Sequence, residues 1–301
     1  MRTQKGGGLP GIDGQTPGLN RATRFTKPLT GPLSADQFRR LTELRQFRVV
    51  QDGITFRSVM YHLTNKDSLI MEYINGESTK TMLALSGRWL ATRGARGQGL
   101  QAARLAGLWL GHFHQWPSDG PQEPYDVSGR CARALDKLHL IRAHGLPEAD
   151  AEAVRRMLER AASEGAHNQV VTIHGDFKPS NVMQTSDEVV GIDMEGYHQG
   201  HRLIDLGQFL SDVFLVRSNM VWGTGAVGWW HQLAVAFLSG YRSTGVVDLR
   251  GLEFRLLEAA IGLFAELKER HPGLFWRIRG RQLMVQTLRR LMQAVADKEL
   301  H

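Results

Sequence analysis

The string Ile173–His174–Gly175–Asp176–Phe177–Lys178–Pro179–Ser180–Asn181–Val182 constrains this chain more than any other feature. It lies between two short apolar runs, Val170–Ile173 and Val189–Ile192, and Asp193–Met194–Glu195–Gly196 begins twelve residues after Asn181. Short apolar runs rich in β-branched residues read as buried strands. Two such strands around a polar loop return Asp176 and Asn181 to one cleft, and the strand ending at Ile192 delivers Asp193 to its mouth.

An acidic residue, an amide and a second acidic residue in this arrangement suit phosphoryl transfer. That reaction asks a protein for positioning and charge neutralisation: a carboxylate orients the acceptor hydroxyl and takes its proton, while oxygen ligands hold a metal ion against the phosphates. Magnesium prefers oxygen and keeps several waters, so one amide oxygen and one carboxylate are a sufficient protein contribution.

The same residues resemble the H-G-D-x-x-x-x-N and I-D-x-[ED] motifs of the aminoglycoside phosphotransferases, choline kinases and their relatives. They are also similar to the H-R-D-x-x-x-x-N and D-F-G motifs of protein kinases, although Asp-Met-Glu in place of Asp-Phe-Gly argues against a protein kinase. The resemblance implies an α+β, two-lobed protein kinase-like fold, with a small, abbreviated β-containing N-lobe and a large, mainly helical C-lobe. It implies ATP and Mg²⁺ as cofactors and a small-molecule acceptor with a hydroxyl group. By the same resemblance Asp176 is the catalytic base, Lys178 touches the transferring phosphate, and Asn181 and Asp193 are metal ligands. Glu195 stands in the second acidic place of the motif as a further metal-shell residue, and Asp205 braces the catalytic loop.

Further back, Ser68–Gly76 resembles the fifth strand and hinge of these enzymes, where backbone groups near Tyr73 and Ile74 meet adenine. Lys27 is the residue nearest the place of the strand lysine that binds nucleotide phosphates, with Glu43 and Asp36 as candidate partners on the following helix. The glycine clusters at 6–8 and 11–14 have no preceding strand and read as a loose tail. A catalytically weak nucleotide-binding scaffold of the same fold is the alternative this abbreviated small lobe suggests.

Periodicity organises the rest into three parts: a poorly patterned segment over 1–33, a small lobe over 34–76, and a helical lobe over 77–301. Ser34 caps a short amphipathic helix, and Thr55–Leu63 with Ser68–Ile74 reads as a hairpin. Residues 100–115, 149–162, 233–241, 252–268 and 282–296 read as helices. The tryptophans Trp222, Trp229 and Trp230 read as core anchors; with Phe237 and Tyr241 they are also the residues from which a cage for a choline-like ammonium would be built.

The net charge of +7 comes from scattered Lys and Arg. The pairs at 39–40, 155–156 and 289–290 fall on solvated helix faces, which argues against a nucleic-acid partner. No apolar run reaches the length of a membrane span, and a single cysteine fits a cytoplasmic protein. Arginine is in excess after Asp205, so a sugar, an amino alcohol or a phosphorylated metabolite is expected as acceptor at least as much as a polycationic aminoglycoside. The sequence sets no oligomeric state.

Overall fold

The computed structural model describes residues 24–28, 34–65, 68–87, 91–117, 126–163, 170–218, 225–245 and 249–270, with the pairs 284–285 and 288–289. Strand β1 (Arg24–Pro28) precedes helix α1 (Ala35–Glu43). Ser34 caps that helix through a reciprocal pair: its hydroxyl accepts from Gln37 N and the Gln37 side chain accepts from Ser34 N. Strands β2 (Arg48–Gln51) and β3 (Ile54–Ser58) form a hairpin. It closes through Asp52 and Gly53, both at positive φ, the backbone that a two-residue Asp-Gly turn requires. Strands β4 (Tyr61–Asn65) and β5 (Ser68–Glu72) form a second hairpin.

The segment expected as one strand over 55–63 is two strands in two sheets. β4 pairs with β5, which also carries β1, in a three-stranded sheet of order β1-β5-β4. β3 instead lies parallel to a strand from far along the chain, with Phe56 opposite Val189. The switch falls at Val59 and Met60: Val59 N donates to Gly191 O, whereas Met60 N donates to the Glu72 carboxylate. Arg57 spans the junction. Its guanidinium donates to Glu188 at 2.8 and 3.0 Å and to Glu72 at 2.5 Å. An alternating apolar pattern specifies a buried face but not a partner strand, so this change of sheet is invisible in local sequence.

The chain then enters β6 (Glu77–Ser78), α2 (Thr79–Ser86), α3 (Arg93–Gln115), α4 (Val127–Ala143) and α5 (Glu148–Ser163). β7 (Val170–Ile173), β8 (Val182–Gln184), β9 (Glu188–Gly191) and β10 (His198–His201) follow. α6 (Leu203–Ser218), α7 (Gly225–Arg242) and α8 (Leu252–Arg270) complete the described elements. β2, β3, β9, β8 and β6 form one mixed sheet in that order, and β10 pairs with β7.

Helix α3 runs through the core. Trp109 stacks on Phe177 at 5.5 Å and on Phe113 at 4.9 Å, and the stack continues from Phe177 to Phe209 and from Phe209 to Phe237. α3 and α7 approach closely because both carry glycine at the crossing: a Cβ on Gly107 would meet Phe237 O at 2.0 Å, and one on Gly240 would meet Arg104 O at the same distance.

The aromatic cage for an ammonium group does not form. Trp229, Trp230, Phe237 and Tyr241 are all buried core residues, the Tyr241 hydroxyl is bound to His114, and Trp222 lies outside the described residues. Close packing of the large helices uses these rings as filler. Each basic pair has a member held in ion pairs: Arg155 with Glu152 and Glu159, Arg39 with Asp36 and Glu43, and Arg289 with Asp150. Among the described residues no helix is long and apolar enough to cross a membrane. The helix expected over 282–296 falls mostly outside them.

Candidate active site

β7 ends at Ile173 and the chain turns through His174 and Gly175, the latter at φ 84°, a conformation that costs glycine least. The turn is pinned from below by Asp205 in the first turn of α6. Its carboxylate accepts from His174 N at 2.7 Å, from Gly175 N at 3.0 Å and from His114 Nε2 at 3.2 Å. Burial pushes the Asp205 carboxyl up, but the hydrogen bonds it accepts, from His114 first and from the His174 backbone, help to outweigh it and hold the group below its usual range. Burial also holds His114 below the usual imidazole range. A neutral His114 that donates from Nε2 leaves Nδ1 to accept from the Tyr241 hydroxyl at 2.7 Å.

The His174 tautomer follows from its partners. Asp176 N donates to Nδ1 at 3.3 Å, so the proton sits on Nε2, which donates to Ile192 O at 2.9 Å. One buried imidazole thereby ties the loop carrying Asp176 to the strand end that delivers Asp193.

Asp176 is half-buried and both of its carboxylate oxygens are engaged. Lys178 Nζ donates to Oδ2 at 2.6 Å and Gln208 Nε2 donates to Oδ1 at 2.7 Å. Asn181 Nδ2 donates to the Asp176 carbonyl at 3.0 Å and lies 3.3 Å from Oδ2. That orientation turns the Asn181 amide oxygen away from Asp176, toward the Ser180 hydroxyl at 3.2 Å. Asn181 O accepts from Ile192 N, so Asn181 sits beside the residue preceding Asp193.

Asp193 adopts a left-handed backbone, φ 60° and ψ 43°. A non-glycine residue in this region is uncommon and points to a local constraint. Part of that constraint is Tyr61 of β4, whose buried hydroxyl accepts from Met194 N at 2.7 Å. Burial pushes the Tyr61 phenol up, and the nearby Glu195 and Asp193 carboxylates add to the shift. On the other side, Arg40 of α1 donates to Tyr197 O at 3.3 Å and lies over the Tyr197 ring.

The structure thus brings Asp176, Lys178 and Asn181 into direct contact, and Asp193 and Glu195 follow on the adjoining loop. Tyr73 is exposed just beyond β5, and Ile74 is buried with its carbonyl accepting from Gly76 N. Lys27 lies on β1 opposite Leu69, and its side chain is outside the described set. Its candidate partners are already occupied: Asp36 and Glu43 both accept from Arg39.

Sequence reasoning passed over Gln208 and Tyr61. Gln208 was legible as the residue three after Asp205 on the same helix, within a turn of the loop that Asp205 pins. Tyr61 carried no local signal, since its partner lies 133 positions away.

A small sheet joined to a large helical body, with the acidic loops between them, is the two-lobed protein kinase-like architecture. The chain superposes on a glucosamine kinase with a TM-score of 0.63 at 17% identity, over 90% of its own length and 74% of that chain. A glucosamine kinase in complex with glucosamine, ADP and inorganic phosphate superposes at 0.58 and 17% identity, over 78% and 66%. A comparison with curated proteins returns no match. The sequence profile of the phosphotransferase enzyme family matches residues 27–247. The chain belongs to that family, and it is a small-molecule phosphotransferase.

Proposed function

We propose that the protein transfers the γ-phosphoryl group of ATP to a hydroxyl of a small molecule, with Asp176 as the base. The observation that carries the reading is the Asp176 carboxylate, half-exposed between Lys178 and Gln208 and one hydrogen bond from Asn181. The acceptor oxygen forms a bond to the γ-phosphorus, the bond to the departing ADP oxygen breaks, and the hydroxyl proton passes to Asp176. Lys178, beside that carboxylate, neutralises charge on the transferring group.

The donor set fits Mg²⁺, because Asn181 offers an amide oxygen turned away from Asp176 and Asp193 offers a carboxylate on a constrained backbone. These two residues would hold the ion, with Glu195 close behind; bound there, it neutralises charge on the phosphates. Lys27 on β1 and the backbone at Tyr73 and Ile74 would hold the nucleotide. Residues 34–76 and the preceding strand would form the nucleotide-binding lobe, and residues 77–301 the lobe that carries the chemistry. We place the protein in the cytoplasm.

The acceptor classes are a sugar, an amino alcohol or an aminoglycoside-like compound, and glucosamine is the first to try because a glucosamine kinase shares the fold. Titrating the protein with ATP by calorimetry, with and without Mg²⁺, and then analysing products against these acceptors tests the proposal. Metal-dependent binding with a phosphorylated product is expected. Binding without transfer to any acceptor would favour a nucleotide-binding scaffold.

A further inference from the structure

Deprotonating an acceptor hydroxyl requires a carboxylate oxygen with a lone pair to spare. Asp176 Oδ2 is held by Lys178 at 2.6 Å and approached by Asn181 at 3.3 Å, whereas Oδ1 takes one hydrogen bond among the described residues, from Gln208 Nε2 at 2.7 Å. An oxygen that can accept twice keeps one place at Oδ1. A carboxylate only accepts, so the Gln208 amide must aim Nε2 at it and point Oε1 elsewhere. That oxygen accepts no hydrogen bond from the described residues. Gln208, Ser211 and Asp212 share one face of α6, and they line a cleft of about 530 Å³ that α4 and α8 close with Lys137 and Glu258. Gln208 therefore borders both Asp176 Oδ1 and this cleft.

A carboxamide sets a donor and an acceptor side by side. With the donor engaged by Asp176, the acceptor is left beside the point where the reacting hydroxyl must sit. Two functions on adjacent carbons of an acceptor meet Asp176 Oδ1 and Gln208 Oε1 together. Resting on the transfer reaction argued above, we propose that Gln208 positions Asp176 and reads the acceptor, its Oε1 accepting from a hydroxyl or amine on the carbon next to the phosphorylated hydroxyl. The acceptor class is a vicinal diol or vicinal amino alcohol of the kind found in sugars, and isolated alcohols are poor substrates.

The test compares kcat/KM for glucosamine, glucose and a series of monodeoxyglucoses, with ethanolamine, ethylene glycol and ethanol as the smallest set. The wild type should favour acceptors with the adjacent donor by about fivefold to tenfold, the worth of one neutral hydrogen bond. Gln208→Leu should bring that ratio close to one and lower kcat for every acceptor, because Asp176 loses its positioning bond. Gln208→Glu keeps an oxygen in place but cannot donate to Asp176, so kcat should fall while the ratio survives; it carries the test if Gln208→Leu does not fold. A purely structural role would lower all rates and leave the ratio where it was, and that outcome overturns the inference while the kinase reading stands. Equal transfer to ethanol and ethylene glycol by the wild type would do the same. A wild type that binds Mg-ATP but transfers to nothing overturns both.

Discussion

Residues 170–212 and residues 24–74 each hold a loop in place, but with different materials. In the first, Asp205 and His174 are buried together with His114 of α3, and the hydrogen bonds that join them to each other and to Ile192 O lie inside the protein, so the Asp176 turn is fixed by groups that water cannot replace. In the second, the small sheet is tied to the larger one by the half-buried Arg57, Glu72 and Glu188, and by one tyrosine hydroxyl reaching the Asp193 loop. Water can partly take over an exposed ion pair, whereas a buried donor left without its acceptor bears the full desolvation cost. The Asp176 loop should therefore be rigid and intolerant of change, and the junction between the sheets more forgiving.

The largest effect is expected on rate. Asp176→Asn keeps side-chain volume and removes the carboxylate proposed as the base, so kcat should fall by about 10²- to 10⁴-fold while calorimetry shows Mg-ATP binding little changed. Full acceptor-dependent turnover in this variant would remove Asp176 from the chemistry.

Asp205→Ala comes next. It strands two backbone N–H groups and His114 and should cost about 3–5 kcal/mol, as expected when one partner of a buried network is deleted. Urea denaturation followed by tryptophan fluorescence measures it. Arg57→Ala leaves Glu72 and Glu188 without their shared cation, but partial exposure screens the loss, and about 1–2 kcal/mol is expected. Were the Arg57 variant the less stable of the two, the contrast between the regions would be reversed.

The smallest effect is a slope with pH. Burial depresses the folded-state pKa of His114 from an ordinary value of 6.5, so the unfolded chain binds a proton that the folded one refuses. This contribution is present above pH 6.5 and is lost as pH falls below it toward the depressed value. Asp205, also depressed, from 3.8, adds a second loss at lower pH, as its carboxylate is protonated. His114→Gln can still donate to Asp205 but does not titrate, and it should flatten the decline just below pH 6.5 in denaturation midpoints. An unchanged slope would mean that His114 takes up its proton as readily in the fold as in the unfolded chain.

How much was legible in advance followed from the range of the interactions. Asp176, Lys178 and Asn181 were read together because their geometry is set within six residues, α5, α7 and α8 because each carries a one-sided apolar stripe, and α3 because its apolar residues recur at helical spacing over a long run. Helix α4 was passed over: only Ala134, Leu138 and Ile141 of its seventeen residues are buried, too thin a stripe to stand out. The β2–β3 hairpin had its signal in Asp52–Gly53, between short β-branched runs, and could have been read. The break at Val59 could not, because it depends on Gly191 and Glu188.

The sequence alone thus determined that Asp176, Lys178 and Asn181 meet, since a short loop between strands brings its own side chains together. The resemblance of its H-G-D-x-x-x-x-N and I-D-x-[ED] residues to a phosphotransferase family also implied a two-lobed phosphotransferase, which the family match over residues 27–247 bears out. Only the tertiary structure decided what orients that site. Gln208 faces Asp176, Tyr61 holds the Asp193 loop, Arg57 joins two sheets, and Trp229 and Trp230, expected as either core or cage, are core. Each of these depends on which distant surfaces pack together, and burial, which no single segment encodes, selects the partner.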